Sequence, residues 1–272
     1  MNFNFYTHCD IAFGKGSSAE IPGMIERHGM KNVMVIYDQG VKAAGIADKV
    51  LEKVKEANVN ITVYDKVLPN PANDQVEEAA LIAKEAKING FVAVGGGSSI
   101  DFAKAVNILM TNPGPIGRYG GIGNVVNDVY PLIAIPTTAG TSSEITNVVA
   151  LIDNQAVCKY VIIDNKITAT GVIADPEFTK TMPASVTAAT GMDAITHAVE
   201  SYISNMASPL TEYNSLKALQ IFYKNLPKAV EDGSDMEARE QMMLGCIIVG
   251  FAFSNANLGL VHGIAHTLSA HF

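Results

Sequence analysis

The chain has 272 residues, of which 48% are hydrophobic and 17% are charged. This length predicts about two folded domains, and the composition excludes a disordered or low-complexity chain. The formal net charge of −8 argues against a nucleic-acid partner, because phosphate binding needs a basic face. The charge is compatible with an anionic ligand that is held by backbone N–H groups.

The three cysteines, Cys9, Cys158 and Cys246, are widely spaced and odd in number, which favours free thiols in a reducing compartment. The first ten residues lack the basic segment and apolar run of a secretory signal. The apolar stretches are far shorter than a membrane span. We therefore expect a cytoplasmic protein without a membrane partner.

Short β-branched runs predict four strands in the first part of the chain, at 33–37, 61–64, 91–94 and 132–135. Amphipathic segments at helical spacing lie between them, at 46–58, 74–88 and 98–110. This alternation predicts βαβ units and a mostly parallel sheet. The strands are nearly all apolar, as expected where helices cover both faces of a sheet. The segment 151–173 is predicted to be β structure that returns to the first domain.

The character of the sequence changes near residue 183, after which only helices are predicted, at 185–203, 208–225, 236–255 and 259–271. Pro209, Pro227 and the Gly233-Ser234 step separate these helices. We therefore predict an α/β dinucleotide-binding domain over residues 1–182 and an all-α domain over residues 183–272.

A triple glycine, Gly95-Gly96-Gly97, follows the third predicted strand, and Ser98 begins the next helix. Residues without a Cβ allow a backbone to approach a pyrophosphate closely. Ser98 can cap the helix, whose N-terminal N–H groups and positive dipole end favour anions. The pattern predicts a phosphate-binding loop, although a triple glycine is also compatible with an ordinary tight turn.

A second loop, 135–144, also follows a strand and is predicted to open a helix. Its dense set of small hydroxyl residues indicates a second surface that closes over the same ligand, beyond the one or two hydroxyls of an ordinary N-cap. Asp38 ends the first predicted strand, where an acidic residue can bind the adenosine ribose and favour NAD over NADP. An aspartate in a turn before Gly40 is the alternative interpretation.

Asp193 and His197 are spaced i, i+4, and His262 and His266 repeat that spacing on the last predicted helix. This spacing places both side chains of a pair on one helix face. The two pairs could converge on one divalent cation, and carboxylate with imidazole suits Fe(II), Zn(II), Co(II) or Mn(II). A lone buried histidine is usually a hydrogen-bonded core residue, so spacing alone leaves a structural role open.

These residues fall in four motifs in chain order: Gly95-Gly96-Gly97-Ser98-x-x-Asp101, Pro136-Thr137-Thr138-Ala139-Gly140-Thr141-x-Ser143-Glu144, Ala189-Thr190-Gly191-Met192-Asp193-Ala194-x-Thr196-His197 and Gly259-Leu260-Val261-His262-Gly263-x-Ala265-His266. Together they resemble the iron-containing alcohol dehydrogenases, and the resemblance covers essentially the whole chain. It implies a dehydroquinate synthase-like architecture with the active site in the cleft between an α/β and a helical domain.

The resemblance implies NAD(P)-dependent and divalent-metal-dependent oxidation of a small primary alcohol or diol, or reduction of the aldehyde, by hydride transfer. It implies NAD, with NADP as the alternative, Fe²⁺, with Zn²⁺ as the alternative, and a homodimer. The implied metal ligands are Asp193, His197 and His262, and His266 is the implied proton-transfer residue. The implied cofactor contacts are Asp38, Gly95, Gly96, Gly97, Ser98, Asp101, Thr137, Thr138, Thr141, Ser142 and Lys159.

The sequence departs from the family pattern at its end. Family members have a further metal histidine in a Pro-His-Gly motif, whereas this sequence stops at Phe272 without one. His271 is no convincing substitute, because it lies five residues after His266, about 140° around a helix. We therefore expect an incomplete helical domain and metal site. The alternatives are an inactive nucleotide-binding fragment, a zinc glycerol dehydrogenase or a dehydroquinate-synthase-like enzyme.

Overall fold

A computed structural model describes residues 2–7 and 9–269 of the chain. Within that part, the strands are Asp10–Phe13 (β1), Asn32–Tyr37 (β2), Asn60–Tyr64 (β3), Gly90–Gly95 (β4), Gly121–Ile122 (β5), Leu132–Pro136 (β6), Val148–Asp153 (β7), Cys158–Ile163 (β8) and Gly171–Ala174 (β9). The α-helices are Ile21–Arg27 (α1), Gln39–Ala43 (α2), Ile46–Glu56 (α3), Asn73–Glu85 (α4), Gly97–Thr111 (α5), Ala184–Ile203 (α6), Pro209–Glu231 (α7), Met236–Ala256 (α8) and Leu260–Leu268 (α9).

The main sheet has six strands in the order β1-β9-β6-β4-β2-β3, and every neighbouring pair is parallel. All residues of the central strands β4 and β6 are buried, which explains their continuously apolar sequences. The chain passes from β2 to β3 at one edge and then to β4 on the other side of β2. This reversal is a topological switch point, where open α/β sheets bind ligands at the strands' carboxyl ends. The predicted mostly parallel α/β fold is confirmed.

A smaller sheet of three strands, β5-β8-β7, lies beside the main one. Strands β7 and β8 form an antiparallel pair, and β5 pairs with β8 in parallel. The segment 151–173 holds β structure, as predicted, but only its last strand, β9, joins the main sheet, where it pairs with β1 and β6. β7 and β8 instead pair with each other, because the short turn at 154–157 makes them adjacent antiparallel partners.

Three clusters of buried apolar side chains hold the fold together. One cluster lies on the face of the main sheet that α4 and α5 cover, and another lies on the opposite face, against α1 and α3. The third lies among α6, α7 and α8 and includes Phe222, Cys246 and Phe253. The predicted boundary at residues 182 and 183 stays a prediction, and α6 begins at Ala184.

The helical half follows the predicted segments except at Pro227, which lies inside α7 rather than ending it. The helix continues to Glu231, because its buried face packs along both α6 and α8. The peptide carbonyl left without a helical partner belongs to Tyr223, a strongly exposed residue, so water can solvate it. The predicted last helix is observed over Leu260–Leu268, and His271 lies outside the described residues.

Among the residues described, no single helix combines the length and apolar composition that crossing a membrane requires. Helices α8 and α9 meet the requirement only when taken together, and they are bent by 97° relative to each other.

Candidate active site

The triple glycine lies at the carboxyl end of β4, at the switch point of the sheet. Gly95 has a φ of +150°, and a Cβ there would come within 2.5 Å of Ser99 Oγ. Gly96 is the N-cap residue of α5, and no side chain caps that helix. The N-terminal N–H groups of α5 are therefore left for another acceptor, the arrangement that binds a phosphate at a helix N-terminus.

The predicted capping role of Ser98 is wrong, because α5 begins one residue earlier, at Gly97. Ser98 lies within the first turn, and its Oγ accepts a hydrogen bond from the backbone N–H of Asn70 at 3.3 Å. Ser98 therefore connects the glycine loop to the segment between β3 and α4. A capping side chain would have occupied one of the N–H groups that this helix start leaves free.

The second loop, predicted at 135–144, spans residues 137–147 between β6 and β7 in the structure and lies beside the glycine loop. A Cβ on Gly97 would come within 2.9 Å of Thr141 Cγ2 and Oγ1, so the two loops are in close contact. The prediction that this loop opens a helix is wrong, since the chain turns over residues 143–145 and enters β7. The ammonium group of Lys104 binds the Ser143 and Thr146 carbonyl oxygens, both at 2.6 Å, and so holds them in the turn.

Asp193 and His197 on α6 meet His262 on α9, with one ligand atom of each residue within 4.8 Å of the others. Asp193 Oδ1 lies 3.3 Å from His262 Nε2 and 3.9 Å from His197 Nε2. A cation about 2.1 Å from each ligand atom would bring such atoms to about 3–4 Å from one another. His262 Nε2 is buried and makes no hydrogen bond within the described part of the chain. The residues therefore fit a divalent cation.

The protonation states of this cluster also suit a cation. Burial lowers the pKa of His197 to about 4, so its imidazole is neutral and offers a lone pair near neutral pH. Burial raises the pKa of Asp193, but its interaction with His262 and the charge of His197 outweigh burial and lower the pKa overall. Phe253 stacks on His197 with ring centroids 4.4 Å apart and shields that imidazole on one face.

Two cavities meet at the glycine loop. The histidine cavity, of about 390 Å³, is lined by Asp193, His197, His262 and His266. The Asp38 cavity, of about 970 Å³, is lined by residues of α2 and both loops, including Asp38. Both cavities share three lining residues, Gly97, Ser98 and Thr141. An elongated ligand on the glycine loop can therefore reach Asp38 at one end and the histidines at the other.

Comparison with known protein families gives two matches. The model described as "Iron-containing alcohol dehydrogenase" matches residues 9–176. The model described as "Fe-containing alcohol dehydrogenase family, C-terminal" matches residues 187–272. This chain belongs to the iron-containing alcohol dehydrogenase family. The family resemblance inferred from the four sequence motifs is thereby confirmed.

Individual members of the family are similar over nearly the whole chain. The NAD-dependent methanol dehydrogenase of Bacillus methanolicus is 38% identical over 97% of this chain and 69% of its own length. The 1,3-propanediol dehydrogenase of Klebsiella pneumoniae is 37% identical over 94% of this chain and 67% of its own length. A solved structure of 1,3-propanediol oxidoreductase has a TM-score of 0.96 and 35% identity, and the match covers 100% of this chain and 71% of that one.

Most of the cofactor contacts that the family resemblance implies lie around the two cavities. Gly96, Thr137 and Thr138 line the Asp38 cavity, and Lys159 lines the histidine cavity. Asp38 caps α2 by accepting a hydrogen bond from Val41 N at 2.9 Å. The alternative interpretation, that Asp38 is an aspartate in a turn, therefore describes part of its role. The Asp38 side chain also lines the cavity.

Two of the implied contacts have other partners in the structure. Ser142 is buried, its Oγ donates to the Cys246 carbonyl at 2.7 Å, and it lines neither cavity. The structure thus places the Ser142 hydroxyl against α8, and its role as a cofactor contact stays a prediction. Asp101 lines the histidine cavity, but its carboxylate accepts hydrogen bonds from Ser143 Oγ and from Ala150 N. It holds the second loop and β7 to α5.

Three further residues support the site and were not identified from the sequence. Lys104 is buried beneath the second loop, and burial lowers its pKa to about 8 against the opposing charges of Asp101 and Glu144. Asn70 accepts a hydrogen bond from Lys159 Nζ at 3.0 Å. Glu200 lies behind His262. No local sequence signal identifies these roles, because the partners of Lys104, Asn70 and Glu200 are 28 to 89 residues away.

We predict that Gly97→Ala weakens NAD binding about tenfold, because the new methyl group would displace Thr141 at a cost of about 1–3 kcal/mol. Titration calorimetry with NAD measures the change in affinity. Gly23→Ala is the matched control, since nothing lies within 4 Å of a Cβ at that helical position. Equal NAD affinity of the Gly97→Ala variant and the control would contradict this account of the loop contact.

We predict that Lys104→Met lowers the free energy of unfolding by about 3 kcal/mol, because it leaves buried carbonyls of the second loop without a donor. Urea unfolding measures the loss. Lys49→Met is the control, because Lys49 is an exposed residue of α3. A loss within about 0.5 kcal/mol of the control, as for ordinary surface substitutions, would show that Lys104 does not anchor the loop.

Proposed function

We propose that this chain carries the cofactor and metal sites of an NAD-dependent dehydrogenase that oxidises a small primary alcohol or diol, or reduces the corresponding aldehyde. The observation that carries the proposal is the shared histidine cavity. Gly97 and Ser98 of the glycine loop line the same cavity as Asp193, His197 and His262. A dinucleotide on the loop therefore has its reactive end beside the cation ligands.

The family relationship supports the reaction type. Relatives are named as an NAD-dependent methanol dehydrogenase and a 1,3-propanediol dehydrogenase, both of which act on short alcohols by their names. A histidine cavity of about 390 Å³ suits a substrate of that size beside the nicotinamide. Membership of this family favours a dehydrogenase over a dehydroquinate-synthase-like lyase.

Different residues of the chain would hold the cation and enclose the substrate. Asp193, His197 and His262 would hold Fe²⁺, with Zn²⁺ as the alternative, since both accept carboxylate and imidazole ligands. When bound, the cation supplies Lewis-acid stabilisation of negative charge at the substrate oxygen, and the nicotinamide supplies the hydride acceptor. Phe253 and Leu258 line the same cavity and restrict access of water.

His266 is the proposed proton-transfer residue. It lines the histidine cavity and is half-buried, and its ring meets that of His262 edge-on with centroids 5.9 Å apart. Burial lowers its pKa, and the charges of Lys159 and His262 act in the same direction. A neutral imidazole at this position can accept the proton that the alcohol releases.

The test measures metal content, NAD binding and alcohol-dependent NADH formation after anaerobic loading of the chain with Fe²⁺ or Zn²⁺. We expect about one cation per chain and metal-stimulated oxidation of short alcohols or diols. Asp193→Asn should lower both metal content and activity, whereas Asp48→Asn, an exposed residue of α3, should change neither. NAD binding without retained metal or activity would instead support an inactive nucleotide-binding fragment.

Asp38 should select NAD over NADP, because its carboxylate lines the cavity where a 2′-phosphate would add negative charge. We predict that Asp38→Asn raises NADP affinity about tenfold, or ~1.4 kcal/mol, with little change for NAD. Asparagine is also a good N-cap residue, so α2 keeps its cap and only the charge is lost. Competitive titration of both cofactors measures the ratio, with Asp48→Asn as control. An unchanged ratio would remove Asp38 from cofactor selection.

A further inference from the structure

Glu200 is a buried carboxylate on α6 that binds the start of α9. It is 5% exposed and lies one turn after His197 on the same helix. One carboxylate oxygen, Oε2, lies 2.5 Å from His262 Nδ1. The other, Oε1, accepts a hydrogen bond from the backbone N–H of Val261 at 2.7 Å.

This pair of contacts determines which nitrogen of His262 carries the proton. The Val261 N–H is a donor, so Glu200 acts there as an acceptor, and a carboxylate has only acceptors to offer. The short Nδ1 contact therefore requires the proton on Nδ1. In the neutral imidazole the lone pair is then on Nε2, the atom that lies 3.3 Å from Asp193 Oδ1.

The Glu200 carboxylate also lies at the N-terminus of α9, where the side chain of an N-cap residue would otherwise accept a hydrogen bond. Gly259 is the N-cap residue of α9 and caps it with no side chain. A Cβ at Gly259 would come within 2.9 Å of Glu200 Oε1, so the carboxylate is packed directly against this turn. A negative charge at a helix N-terminus is stabilised by its free N–H groups and dipole.

We propose that Glu200 is a positioning residue for the metal site. It holds the first turn of α9 and fixes the Nδ1–H tautomer of His262, so that Nε2 faces the ligands on α6. A carboxylate behind a metal-binding histidine in this way also increases the basicity of the ligand. The inference rests on the proposed function for its cation, whereas the contact between Glu200 and His262 Nδ1 is present without a cation.

The first test measures cation affinity. Glutamine can accept from only one of the two donors, and its NH₂ group would face the other, so Glu200→Gln should disturb both contacts. We expect Zn²⁺ and Co²⁺ to bind this variant about 10–100-fold more weakly in titration calorimetry. Glu231→Gln is the matched control, since Glu231 is exposed at the end of α7. Equal affinity of both variants would overturn the proposal.

The second test uses the metal-free, unsubstituted chain and needs no variant to fold. Nitrogen-15 NMR of labelled imidazoles at alkaline pH distinguishes the two neutral tautomers, and we expect His262 as Nδ1–H. Glu200→Gln should shift that signal, while Glu231→Gln should leave it unchanged. An Nε2–H tautomer in the unsubstituted chain would overturn the inference. Failure of the unsubstituted chain to bind a cation would overturn the proposed function. The tautomer result would then decide the inference about Glu200.

Discussion

The contact of the second loop with three helices determines where the two halves of the site meet. On one side, the Lys104 ammonium of α5 binds two carbonyls of this loop and the Val148 carbonyl at the start of β7. On the other, a Cβ at Gly140 would come within 2.5 Å of Thr190 Cβ on α6, and Ser142 donates to the Cys246 carbonyl of α8. The loop therefore leaves little freedom in the distance between the glycine loop and the histidines. Such positioning matters because displacements of about 1 Å are costly in catalysis.

Helix α6 concentrates the chemistry of the helical half on one face. Asp193, His197 and Glu200 occupy positions i, i+4 and i+7, which lie above one another on an α-helix. Two of these side chains are proposed ligands, and the third holds the opposing His262. A single rigid helix thus fixes one part of the site and orients the other, so α9 adds its imidazole without a cap of its own.

The parts of this structure that the sequence predicts are those with local signals. The glycine loop, the buried strands and the i, i+4 pair of Asp193 and His197 each depend on residues within one turn or loop. Lys104 and Glu200 could not be predicted in the same way, since their partners are 39–44 and 61–62 residues away. Pro227 shows the opposite case, because tertiary packing on both sides of α7 overrides a local helix-ending signal.

The net charge of −8 limits how this chain can hold the proposed dinucleotide. Of the described residues lining the two cavities, only Lys159 and Lys66 are lysine or arginine. The proposed pyrophosphate site therefore relies mainly on backbone N–H groups, which the uncapped start of α5 provides. Asn70 holds Lys159 at the histidine cavity, so the charge of Lys159 lies toward the end of the site where the proposed nicotinamide would bind. Binding by fixed dipoles also avoids a cluster of lysines, whose charge would compete with the cation for Asp193.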